Sequence, residues 1–194
     1  MVERAHVDNG RLLKAFPKGF ALDATHHPHL TMLQQFVSTA DVNKVCAAAN
    51  QVVAKEDVSG WNLRAFKYCY IPVPPNGIAG ITVEPVEGLL RLQQELLEAV
   101  APFTEKSGTA AAFVSADGGR DIQQGLIDYV ANFTTVAARE KFNPHVTIGV
   151  ATETYLKKML AEPFNAFTFS AVGASVYQLG SYGAARKELQ VLLL

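Results

Sequence analysis

The chain has 194 residues and a formal net charge of −1 at pH 7, with 49% of its residues apolar and 18% charged. That length supports one sizeable core, and the apolar fraction excludes a disordered tail. Near-neutral charge without a basic run excludes holding a long nucleic-acid duplex through many phosphate contacts, and leaves a small or terminal phosphate as the better-matched ligand. The two cysteines, Cys46 and Cys69, form neither a disulfide framework nor a CxxC metal spacing.

The N-terminal stretch is charged throughout and lacks the apolar core of a signal segment. No apolar run approaches the roughly 20 residues that cross a bilayer. These features lead to the expectation of a cytoplasmic protein that does not engage membranes; a monomer is expected beside them.

Apolar spacing predicts a first helix over residues 2–16, stopped at Phe16-Pro17-Lys18-Gly19. Residues 28–37 (PHLTMLQQFV) alternate and then turn apolar, as a strand does. Ser38-Thr39-Ala40-Asp41 resembles a capping box and opens a helix to about Ala54. Leu63 to Val73 and Ile78 to Val83 read as two strands of a hairpin around Pro74-Pro75-Asn76-Gly77. Residues 86–103 predict an amphipathic helix with Leu89, Leu92, Leu96 and Val100 along one side. A loop around Ser115–Gly119 leads to a helix over 121–138, then a strand at 144–150. Thr152 caps a short helix to Leu160, and strands follow near 164–171, 173–179 and 187–193. The order gives an α+β fold with largely antiparallel sheets flanked by helices. Its internal repetition predicts a single domain over 1–194, bilobal and pseudo-symmetric around a central cleft. The lobes fall near 1–110 and 111–194, with strands exchanged between them as one form of that arrangement.

One phrase occurs twice: Pro28-His29-Leu30-Thr31-Met32 and Pro144-His145-Val146-Thr147-Ile148. Side chains alternate along a strand, so His29 and Thr31 share one face while Leu30 and Met32 anchor the other, and the second copy repeats this. Composition alone would produce such a pair on the order of once in ten thousand chains. Two imidazoles and two hydroxyls around one pocket make an acid–base site for a phosphate ester.

The pair of His-x-Thr-x tetrapeptides, His29-Leu30-Thr31-Met32 and His145-Val146-Thr147-Ile148, resembles the signature of the two-histidine (2H) phosphoesterase superfamily. That group includes RNA 2′,5′-ligases and 2′,3′-cyclic nucleotide phosphodiesterases. The resemblance covers nearly the whole chain. It implies a bilobal α+β fold and a metal-independent cyclic phosphodiesterase or RNA 2′,5′-ligase-like enzyme, with no cofactor. It implies His29 and His145 as the catalytic pair, with Thr31 and Thr147 as phosphate-binding donors. The chain departs from the family in starting directly in helical pattern, where relatives place a strand first. That departure leads to the expectation of an exposed sheet edge.

Histidine suits both proton-transfer roles because its ordinary pKa lies near 6.5. Analogy favours His145 as base and His29 as acid, while the residues themselves leave the assignment open. Weaker candidates for substrate contact are Gln35, which shares parity with His29, and Arg139 and Lys141, which share parity with His145 if that strand extends backward. Tyr177 and Tyr182 offer stacking surfaces and Arg186 a phosphate contact, each weighed against ordinary packing or solvation. The expected ligand is a small nucleotide or RNA-terminus phosphoester. Two alternatives stand beside this reading. One is a zinc-dependent hydrolase using His27, His29 and His145, and the other a non-catalytic module that binds nucleotides or RNA ends.

Overall fold

The computed structural model describes residues 1–24, 26–115 and 118–192. In chain order its elements are α1 (Val2–Ala15), β1 (Phe36–Val37), α2 (Val42–Val53), β2 (Leu63–Val73), β3 (Asn76–Val83), α3 (Glu87–Val100), β4 (Thr104–Glu105), α4 (Gln124–Ala131), α5 (Phe133–Val136), β5 (His145–Thr152), α6 (Glu153–Leu160), β6 (Phe167–Phe169), β7 (Ala174–Leu179) and β8 (Ala185–Leu192). All pairing between these strands is antiparallel, so the class is α+β as expected. The chain groups into two compact units, each assembled from separate stretches on both sides of residue 110. The first holds 1–31, 62–84 and 143–169, and the second holds 32–61, 85–142 and 170–194.

In the first unit a four-stranded sheet has the order β5-β3-β2-β6. Ala79, Ile81, Val146, Ile148, Tyr68 and Ala65 from its strands share one core with Ala5 and Leu12 of α1 and with Leu156 and Met159 of α6. The buried stripe of α1 also carries Asp8 and Asn9, and both are fully partnered. Asp8 accepts from Arg4 Nε at 2.8 Å and from the Tyr68 hydroxyl at 3.0 Å. Asn9 Nδ2 donates to the carbonyls of Ile148 (2.9 Å) and Phe20 (3.0 Å), and its Oδ1 accepts from Leu22 N (3.0 Å). These bonds fix α1 against β5 at a bulge, where Ala79 pairs with Gly149 and Gly80 with Thr147, leaving Ile148 as the extra residue. Gly149 has φ 146°, and a Cβ there would sit 3.0 Å from both Asn9 Nδ2 and Leu12 Cδ1. Only glycine meets both demands.

In the second unit α2 and α3 share a core with β8 through Val52, Val53, Leu92, Leu96 and Leu192. Strands β7 and β8 form a hairpin, and β1 pairs with β4. The predicted stripe of Leu89, Leu92, Leu96 and Val100 is buried on α3. Buried Gln93 donates to the Met32 carbonyl at 3.2 Å and accepts from Arg139 N at 2.9 Å.

Several expectations are corrected. Residues 28–37 do not form one strand: Leu30 makes an isolated bridge to Val146, only Phe36 and Val37 are in β1, and the residues between are irregular. The apolar run is divided between cores, with Leu30 packing in the first unit and Met32 and Leu33 in the second. The helix over 121–138 breaks at Asn132, whose side chain donates to the Asp128 carbonyl at 2.8 Å and competes with the helical ladder. The capping box before α2 does not form, because Ser38 Oγ donates to the Asp41 carboxylate at 2.9 Å. In the hairpin Val73 pairs with Asn76, so the turn is Pro74–Pro75 and the Asn-Gly pair belongs to β3. Of the expected loop at 115–119, Ala116 and Asp117 lie outside the described residues, as does Leu193 at the end of the last predicted strand. Among the described residues no helix is long and apolar enough to cross a membrane.

Candidate active site

The second motif folds as its alternation requires. On β5, Val146 and Ile148 are 1% and 0% exposed, while His145 and Thr147 are half-buried on the opposite face. Val83 N donates to the Pro144 carbonyl at 2.8 Å, which makes the next pair along, Thr82 with His145, a non-hydrogen-bonded pair. Side chains of such pairs approach most closely.

The first motif meets the second through the single antiparallel bridge Leu30–Val146. In an antiparallel pairing the flanking residues oppose each other in reverse order, so His29 stands level with Thr147 and Thr31 with His145. Leu30 packs with Val146 into the core below, and alternation about the bridge directs the four polar side chains to the other face. All four belong to the first unit.

Each imidazole is held in the same way. His29 Nδ1 lies 2.7 Å from the His27 carbonyl and His145 Nδ1 lies 2.8 Å from the Asn143 carbonyl. A carbonyl only accepts, so each Nδ1 carries the hydrogen and donates it, and Nε2 is left for chemistry. The repeated proline lies between the two partners of each bond. In both motifs the accepting carbonyl belongs to the residue before the proline, a position whose backbone the proline ring restricts to extended conformations. Burial pushes the His29 pKa below its ordinary value, the His27 carbonyl bond pulls it back, and the nearby His145 lowers it further. That environment favours neutral His29.

Four neighbours on this face were not singled out from the sequence, because they are brought there by cross-strand register. Thr82 of β3 faces His145 and is itself paired with Lys67 of β2. Gly80 pairs with Thr147 on one side and Cys69 on the other. A Cβ at Gly80 would stand 3.1 Å from Cys69 Sγ, 3.3 Å from His145 Cδ2 and 3.3 Å from the Val146 carbonyl, so the bare glycine lets the ring lie against the sheet. Burial pushes the Cys69 thiol up, with a smaller opposing pull from the Thr82 hydroxyl.

The other six candidates belong to the second unit. Gln35 is half-buried in the irregular segment, not on a strand face with His29. Arg139 and Lys141 lie in a 3-10 turn and β5 begins at His145, so the backward extension does not occur. The Arg139 backbone has φ 57° and Lys141 Nζ donates to the Thr135 carbonyl at 2.8 Å. The Tyr177 hydroxyl donates to Glu188 across the β7–β8 ladder at 2.8 Å. Tyr182 sits at the tip of that hairpin with φ 59°, and the stem of Arg186 lies over Gly180.

The zinc reading does not hold. Among the described residues no three His, Cys, Asp or Glu side chains are grouped to share a metal ion, so His27, His29 and His145 do not form a ligand set. His27 is exposed and contributes its carbonyl, not its ring, to His29.

A family model described as the 2′-5′ RNA ligase superfamily matches residues 13–178. No curated protein and no solved structure matches the chain.

Proposed function

Since the chain belongs to the 2′-5′ RNA ligase superfamily, the group of 2H phosphoesterases, we propose that it hydrolyses 2′,3′-cyclic or 2′,5′-linked nucleotide phosphoesters by two-histidine acid–base catalysis without a metal. The observation that carries this reading is the Leu30–Val146 bridge, with an imidazole and a hydroxyl from opposite motifs on each side of it. In a cyclic phosphate, the base takes a proton from water while the water oxygen bonds to phosphorus. The bond from phosphorus to one ribose oxygen breaks, and the acid delivers a proton to that oxygen. Thr31 and Thr147 donate to the non-bridging oxygens, where charge develops.

The lowered His29 pKa supports His29 Nε2 as base, which leaves His145 Nε2 for the acid role. This reverses the roles that analogy favours. The test is a panel of cyclic and 2′,5′-linked nucleotides with product regiochemistry read by NMR, run in excess chelator on the parent protein, H29A and H145A. Each variant is expected to lose at least about a hundredfold in turnover with an intact circular dichroism spectrum. Near-normal turnover by either variant, or abolition by chelator, overturns the reading.

A further inference from the structure

The bulge in β2 carries a pair of residues that the acid–base chemistry does not use. Ala65 pairs with Val83 and Lys67 with Thr82, so Phe66 and Lys67 together occupy the space of one residue. Ala65 and Tyr68 on either side point into the core, 0% and 5% exposed, which turns both Phe66 and Lys67 to the opposite face. That is the face of His145, because Lys67, Thr82 and His145 are successive partners across three strands. Lys67 therefore stands two strand spacings from His145, about 9.5 Å at the backbone. Lys67 is exposed, Phe66 is half-buried, and Lys67 Nζ lies 5.3 Å from the Phe66 ring centroid. The adjacent cation, Arg64, is engaged with Glu84. Bulges beside reactive centres characteristically re-aim side chains.

An aromatic ring next to an ammonium, in line with the reacting histidine, matches one nucleotide unit: a base stacks on the ring and a phosphate meets the cation. The geometry points to Phe66 and Lys67 as a substrate subsite that takes the nucleotide adjoining the reacting phosphate, selecting RNA ends that carry a second phosphate over mononucleoside cyclic phosphates. This rests on the proposed activity for its reacting group, but its ligand chemistry comes from the bulge alone.

The test compares kcat/KM for a dinucleotide with a 2′,3′-cyclic end against a mononucleoside 2′,3′-cyclic phosphate. For K67M the ratio is expected to fall about tenfold, carried in KM, with a salt slope for the dinucleotide shallower by about 0.7; K67R keeps the ratio. F66L is expected to raise KM roughly tenfold and F66W to restore it. An unchanged ratio in K67M, or an unchanged KM in F66L, overturns the subsite while leaving the activity standing. Calorimetric titration of the 3′-phosphorylated dinucleotide separates the two readings. A parent protein that turns over neither substrate but binds this dinucleotide tightly, and about tenfold more weakly as K67M, keeps the subsite and loses the activity. Equal binding by both overturns the subsite.

Discussion

Leu30 pairs with Val146 in one isolated antiparallel bridge, and that pairing alone sets His29 level with Thr147 and Thr31 level with His145. Each imidazole thus has its hydroxyl neighbour supplied by the other motif. One copy of the phrase gives a ring and a hydroxyl side by side along the chain. Two copies in antiparallel register give a square in which every ring faces a hydroxyl across the bridge, and this is a physical reason for the phrase to occur twice.

The hydroxyls are testable without disturbing the rings. T31V and T147V keep the shape of the side chain and remove one donor, so each is expected to lower kcat by about a hundredfold. T31S and T147S restore most of it. Loss confined to KM in the valine variants would show that the hydroxyls hold the ground state only.

The pH dependence follows from the environment of His29. Burial lowers its folded pKa below the ordinary value, so as the pH falls through about 6.5 the unfolded chain takes up a proton that the folded chain resists. The stability linked to His29 is therefore complete above about pH 6.5 and declines below it. Urea unfolding of the parent protein is expected to show this slope as the pH falls below about 6.5, and H29Q to flatten it. Asp41 and Glu153 are held below the ordinary carboxylate range by Lys44 and Lys157 and act at lower pH. With His29 as base, kcat/KM falls on the acid side of the same window.

Gly80 offers a positional test. In G80A the new methyl stands 3.3 Å from His145 Cδ2 and 3.1 Å from Cys69 Sγ, closer than ordinary contact, with strand backbone behind it. The ring is displaced, and kcat is expected to fall about tenfold with KM little changed. The double variant G80A/C69A removes one of the crowded atoms and is expected to recover part of the loss. A parent-like kcat in G80A would show that the ring has room to spare.

Asn9 tests the support beneath the site. Its amide satisfies the carbonyls of Ile148 and Phe20 and the N–H of Leu22. N9L leaves these backbone groups without partners and is expected to cost about 2–4 kcal/mol in chemical denaturation. The buried carbonyl of Ile148 marks the bulge that separates Thr147 from Gly149, so a loss of activity larger than the loss of stability is also expected. Stability within about 0.5 kcal/mol of the parent would refute this account.

Local periodicity made several elements legible. The alternation of His145 to Ile148, the leucine stripe of α3 and the Thr152 cap, whose hydroxyl accepts from Tyr155 N at 3.4 Å, all depend on residues within a turn or two of one another. Around His29 the alternation predicts a strand that does not form. Period-two reasoning put His29 and Thr31 together, whereas a single bridge does so in the structure, because Leu30 and Met32 serve different cores. Thr82, Gly80, Phe66 and Lys67 were not legible, since their place beside His145 depends on which strands pair, in what register, and on one inserted residue. The grouping of 62–84 with 143–169 is likewise a matter of long-range pairing.

The tethering of both rings through Nδ1 has a consequence for repeated turnover. Neither imidazole can rotate to offer its other nitrogen without giving up its carbonyl partner. In the proposed cycle one ring gains a proton at Nε2 and the other loses one there, so each turnover ends with the two rings' charge states exchanged. Under that proposal the pair is reset by proton exchange at the two open Nε2 atoms, a step that follows the departure of product and precedes the next substrate.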